Sequence, residues 1–419
     1  VELFTMTDAS RRRFLAGGLA LSAGGLAMSR LALAAADGEQ RFVFVILRGA
    51  LDGLTAVPPV GDPAYAGLRR EIAVPPAGAE GGALRLDGTF GLHPSFAFLG
   101  ELWQARQLAV LHAVASPYRE RSHFDGQDVL ESGLARPHAT QTGWLNRALA
   151  QIGGAPRREA GVALGANIPL VMRGPSAVAS WSPSRLAMLD DDTLQRLGDL
   201  YAGDPLLSQR LADALSADAI AMSARADAAQ DAEEGMAVKA GAARQAGAAQ
   251  VIETVKAAAG FLRRPDGPRV AVFDTTGWDT HANEGGAQGQ LALRLRVLDA
   301  GLRSLRDGLG PVWDRTAVLV ATEFGRTAAV NGTRGTDHGT GAAAFLLGGA
   351  VQGGRVIADW PGLSASSLYA GRDLAPTQDL RAVMKSVLRD HLGVPQRHLD
   401  SVVFPDSGAA PYISGLVRS

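Results

Sequence analysis

RVAVFDT (Arg269–Thr275), QLALRLRVLDAGLRSLRDGL (residues 290–309) and TAVLVAT (Thr316–Thr322) follow one another closely in the chain. The outer two are apolar, β-branched runs bounded by turn residues, as expected of strands buried on both faces. Between them, leucines 291, 295, 298, 302, 305 and 309 step by four and three, which draws one apolar stripe along a helix. Strand, helix and strand at this spacing form a crossover unit of a parallel sheet.

Two further runs read the same way, FVFVIL (Phe42–Leu47) and QLAVLHAV (Gln107–Val114), and AAAFLLGG (Ala342–Gly349) is expected as a fifth parallel strand. TQDLRAVMKSVLRDHLG is expected to be a helix with Thr377 as N-cap and Gly393 as its stop. From about 183 to 262 the chain turns alanine-rich, charged and poor in strand formers, and is read as a helical insertion. The predicted architecture is α/β, an open, doubly wound, mostly parallel sheet with that one insert.

Arg11, Arg12 and Arg13 precede an apolar run from Phe14 to Met28, too short for a membrane span of ~20 residues. Ser10-Arg11-Arg12-Arg13-Phe14-Leu15 resembles a twin-arginine export signal, and Ala32-Leu33-Ala34 fits a small-x-small cleavage site. Residues 1–36 are therefore expected to be a signal peptide and 37–419 the mature domain, periplasmic or secreted, with the twin-arginine translocase as transient partner. That route carries folded proteins, so a metal could be loaded before export. With 41 basic against 42 acidic residues, no nucleic-acid partner is expected. The absence of cysteine excludes thiolate ligands, disulfides and a cysteine nucleophile.

Ligands of open α/β sheets bind beyond the carboxyl ends of the strands. Just past the strands stand Asp52, then Ser122 and His123 opening a helix, then Asp279 and His281, then Glu323. Asp337 and His338 come just before the last strand. Carboxylates with imidazoles suit zinc or manganese, and carboxylates alone suit magnesium or calcium. Asp52, Asp279, His281, Glu323, Asp337 and His338 are accordingly the candidate ligands of one or more divalent metal ions. Ser122 is the candidate nucleophile, and His123 or Arg326 would steady an anionic substrate. Each has a plainer reading: Asp52-Gly53 as a turn, Glu323 with Arg326 as a surface ion pair, Ser122 as a simple N-cap. Asp274 is expected to close its strand through hydrogen bonds. His93, His112, His138, His391 and His398 are assigned to structure or surface.

LRGALDGLTAVPPVGDPAYAGLR, FGLHPSFAFL, RSHFDGQDVLESG, GWDTHANEG, ATEFGRT, DHGTGAAAFLLGG and LAPTQDLRAVMKSVLRDHLGV occur in this order. Together they resemble a family of twin-arginine-exported bacterial proteins known as a domain of unknown function, placed within the alkaline phosphatase and sulfatase superfamily. The resemblance implies an alkaline phosphatase-like fold and a two-metal site, with Asp52 matching the acid after the first strand and Ser122 the nucleophile. Asp279-x-His281 stands for a longer-spaced Asp-His motif, and His338 matches the last histidine. Glu323-Phe324 departs from the superfamily's Asp-His pair and removes a nitrogen ligand. The function so implied is hydrolysis of a small phosphate or sulfate ester. The alternative is a non-catalytic periplasmic binding or assembly protein that keeps the fold, with the helical segment as its partner surface.

Overall fold

The computed structural model describes residues 39–153, 160–165, 167–183, 196–197, 200–201, 204–230 and 242–418. The arginine-rich N-terminus, including Arg11 and Arg12, lies outside them. Among the described residues, no helix is long and apolar enough to cross a membrane.

The chain runs β1 (Arg41–Arg48), α1 (Gly53–Ala56), α2 (Ala97–Gln104), β2 (Leu108–Ala115), α3 (His123–Ser132), β3 (Gly161–Leu164) and β4 (Val178–Trp181). It continues through α4 (Pro205–Gln230), α5 (Ala242–Leu262), β5 (Val270–Thr276), α6 (Gln290–Leu309), β6 (Thr316–Thr322), β7 (Ala342–Leu347), β8 (Arg355–Ile357) and α7 (Leu380–Asp390). These strands form one sheet in the order β8-β2-β7-β6-β1-β5-β3-β4, with Gln378–Asp379 also paired to β2. The fold is α/β with a mixed, mostly parallel sheet.

β1 lies at the centre, parallel to β5 on one side and β6 on the other. The β5–α6–β6 unit therefore straddles it. β7 departs from expectation by running antiparallel to both β6 and β2. The physical reason is the connection: β6 and β7 are joined by the loop 323–341, which contains no helix. A parallel return needs a crossover. The loop instead folds on itself, with Gly325 N donating to Thr340 O (3.0 Å) and Gly339 N to Gly325 O (2.8 Å). A Cβ on Gly325 would lie 1.7 Å from Gly341 O, so only glycine permits this approach. Helix α7 also begins later than expected. Asp379, not Thr377, is the N-cap, its carboxylate accepting from Arg381 N at 2.8 Å.

Alternate residues of β1 serve opposite faces of the sheet. Val43, Val45 and Leu47 pack with Val255 and Leu262 of α5 and with Leu295, Leu298 and Leu302 of α6. Phe42, Phe44 and Ile46 pack with Trp144, with Val383 and Val387 of α7, and with Phe404. Helices thus cover both faces, and the loops at the carboxyl ends of β1, β5 and β6 are left to build a site.

Candidate metal centre

β6 delivers Glu323 at its carboxyl end, fully buried. Its Oε1 accepts from Gly49 N (2.8 Å) and Gln127 Nε2 (3.2 Å), and Oε2 accepts from the Thr322 hydroxyl (2.9 Å). The same Oε1 lies 2.8 Å from Nδ1 of His123, the first residue of α3. Burial works against the charge, but these donors hold Glu323 below the usual carboxylate range. An ionised carboxylate can only accept, so His123 Nδ1 carries a proton; the hydrogen bond to Glu323 raises the imidazole above its usual range, and in the neutral ring Nε2 presents a lone pair.

His338 is oriented by the same logic. Its Nδ1 lies 3.0 Å from the carbonyl of Arg121, which can only accept. His338 Nε2 therefore also presents a lone pair, and it faces His123 Nε2 at 2.9 Å. His281 comes from the loop after β5. Its Nδ1 lies 3.2 Å from Asp337 Oδ1 and its Nε2 3.0 Å from His338 Nε2. Asp337 is held below its usual range by the Asn331 side-chain amide (3.0 Å), with His281 adding to the effect.

Asp279 completes the set. Its Oδ1 lies 3.0 Å from His281 Nε2 and 3.2 Å from His338 Nε2, and its Oδ2 lies 3.4 Å from His123 Nε2. Buried Arg326 fixes it by donating to Oδ1 at 2.6 Å, while bonding the carbonyls of Ala50, Trp278 and Thr336. Partial burial opposes the charge of Asp279, and Arg326 followed by His281 keeps it low. Gly49, at φ +115°, lets β1 end against this loop, since a Cβ there would meet Asp279 N at 2.8 Å.

Lone pairs 2.9–3.0 Å apart repel unless something positive lies between them. A proton on one imidazole satisfies one such contact; a cation among His123, His338 and Asp279 would satisfy theirs together. Nitrogens each ~2.0–2.1 Å from one ion lie ~2.9 Å apart at a right angle and ~3.4 Å apart at a tetrahedral angle. The observed separations fall in that range. Ligating atoms of His123, Asp279 and His338 all lie within 4.8 Å of one another. The imidazole-rich donor set fits a borderline divalent ion such as zinc better than oxygen-preferring manganese, magnesium or calcium.

The chain matches the profile of a protein family of unknown function, DUF1501, over residues 103–403. It belongs to that family. No curated protein matches. Among solved structures the chain is similar to that titled "Crystal structure of Ps i-CgsB in complex with k-i-k-neocarrahexaose". The identity is 10%, the alignment covers 88% of this chain and 76% of that one, and the TM-score is 0.39, too slight a likeness to carry an argument.

Within this DUF1501 chain the loops bring Asp279, His281 and His338 together, as expected of ligands. His123, expected to steady substrate, stands among them as a fourth candidate. Glu323 and Asp337, expected to be ligands, lie behind His123 and His281 and orient them, the role outer carboxylates play around metal-bound imidazoles. Asp52 is elsewhere. It caps α1 by accepting from Leu54 N (2.9 Å) and Thr55 N (3.1 Å) and is ion-paired to Arg69, both residues fully buried. Arg326, expected to steady an anionic substrate, is buried and donates instead to Asp279 and to the carbonyls of Ala50, Trp278 and Thr336. Ser122 is the N-cap of α3, directly before His123, and makes no capping bond with its hydroxyl. Asp274 pairs with Arg48. His93, His112 and His391 are buried and bonded to the carbonyls of Gly286, Val57 and Arg41, and exposed His138 pairs with Asp125.

Proposed function

We propose that this DUF1501 protein is an exported, metal-dependent hydrolase of phosphate or sulfate esters, built on an alkaline phosphatase-like, doubly wound fold. The meeting of His123, His338 and Asp279, whose ligating atoms all lie within 4.8 Å of one another, with His281 Nε2 3.0 Å from both His338 and Asp279, carries this reading. His123, His281, His338 and Asp279 would hold the cation, which when bound would act as a Lewis acid and favour an ionised nucleophile. Glu323, the Arg121 carbonyl and Asp337 keep the proton of each imidazole on Nδ1. Arg326 fixes Asp279. His281, Asp279 and Asp337 are the exposed members of the set, so an ester would approach from their side. Ser122 supplies the attacking hydroxyl, a role resting on the resemblance and on its place before His123. The arginine-rich N-terminus supports export by the twin-arginine route, with the ion loaded in the folded protein beforehand.

The test is turnover of aryl phosphate and aryl sulfate esters by metal-loaded protein. Ser122→Ala is expected to lose at least ~100-fold in kcat while keeping its metal, and His338→Ala to lose both. Full turnover by Ser122→Ala, or an inactive protein that is replete with metal, would remove the serine-hydrolase reading.

A further inference from the structure

The segment GWDTHANEG places Glu284 three residues beyond His281, and its carboxyl group is fully buried. Oε2 accepts from the hydroxyls of Thr280 (2.8 Å) and Thr336 (2.8 Å). Thr280 stands between Asp279 and His281, and Thr336 directly precedes Asp337 and His338. One oxygen therefore ties together the two loops that carry three of the four candidate ligands. The backbone follows the same seam: Thr336 N donates to Thr280 O (3.1 Å), Glu284 N to Arg334 O (2.9 Å) and Asn283 N to Thr333 O (3.0 Å). Oε1 accepts from Thr55 Oγ1 (3.0 Å) and lies 3.6 Å from Arg69 Nη2, whose main partner is Asp52.

We propose that Glu284 is a positioning residue of the metal centre: through Thr280 and Thr336 it sets the spacing of the two ligand loops and so the affinity for a divalent cation. This rests on reading the four residues as a metal site. Burying a carboxyl group is costly unless its oxygens are satisfied, and both of these are. Burial, with the charge of Asp52 adding to it, pushes Glu284 up to about 8, so at neutral pH it holds a proton. A glutamine can then replace it, with an oxygen for the two threonines and an amide for Asp52. A leucine of similar size can do neither.

The experiment is a competition titration of zinc, and in parallel manganese, into metal-stripped full-length protein against a chromophoric chelator. Glu284→Leu is expected to weaken binding about 10–100-fold, the range known for outer-shell partners of metal ligands. Glu284→Gln should stay within about threefold of the wild type. Should the leucine variant fail to fold by circular dichroism, Thr336→Val, which removes a single donor, should still weaken binding about threefold or more. Leu305→Ala, a core truncation in α6, controls for lost stability and should leave affinity unchanged. Wild-type affinity in Glu284→Leu or Thr336→Val, or equal weakening by Leu305→Ala, would overturn the positioning role alone. A wild type that binds neither ion would overturn the metal reading and this inference with it.

Discussion

His123 and His338 face each other through their Nε2 atoms because Glu323 and a backbone carbonyl engage the opposite nitrogens. The same atoms explain what could be read in the sequence at this scale. Asp279, His281 and His338 sit beside strand ends among glycines and threonines, and their candidacy as ligands follows from type and place. The separation of ligand from orienter does not. His123 and Glu323 are 200 positions apart, and only folding decides which of them faces the ion and which stands behind. Asp52 was legible as an Asp-Gly turn, and its capping of α1 is that plainer reading; Arg69, 17 positions on, gives no local signal that it will pair with Asp52. Glu323→Ala should lower cation affinity about 10–100-fold, and Glu323→Gln, which keeps an acceptor for Nδ1, by less, as read by the same chelator competition. Equal affinity in all three proteins would mean that Glu323 does not orient His123.

At the scale of elements, α3 is the part that places His123. It docks through Gly126, where a Cβ would lie 2.9 Å from the Phe324 ring, and that ring stacks on His123 at 5.0 Å between centroids. Gly126→Val should push α3 outward, costing about 1–3 kcal/mol in urea unfolding of the metal-stripped protein. It should also weaken cation binding, because His123 moves with the helix. Wild-type stability in that variant would show that the contact is loose. Long elements with full periodicity, such as α6 and β6, were legible from pattern alone. The direction of β7 was not read from its own residues, since an apolar run looks alike either way. The helix-free link from Glu323 to Gly341 held that information. β3, β4 and β8 have four, four and three residues, too few for a periodic pattern to show.

Across the whole molecule, buried titratable groups set how stability depends on pH. His112 and His391 are pulled down to about 4 by burial, from an ordinary 6.5. Their neutral packing therefore stabilises the fold above pH 6.5, and this contribution is lost as pH falls through 4. Glu284 acts in the opposite sense. Its value of about 8 lies above the ordinary 4.5, so its contribution is complete below 4.5 and fades as pH rises through 8. Arg69 holds neighbouring Asp52 low against its burial, so the contribution of Asp52 is lost only in acid, below the ordinary 3.8. The Tm of metal-stripped protein should therefore rise from pH 4 to 6.5, where the two histidines outweigh Glu284, and the part due to Glu284 should decline from 4.5 to 8. Subtracting the profile of Glu284→Gln isolates that decline, and parallel profiles would remove Glu284 as its source.

The most direct test of the metal centre is X-ray absorption at the zinc edge on stoichiometrically loaded protein. Three imidazoles are predicted in the first shell at ~2.0–2.1 Å, with oxygen filling the rest, and two in His281→Ala. A shell of oxygen alone, or protein that retains no zinc after desalting, would contradict the account.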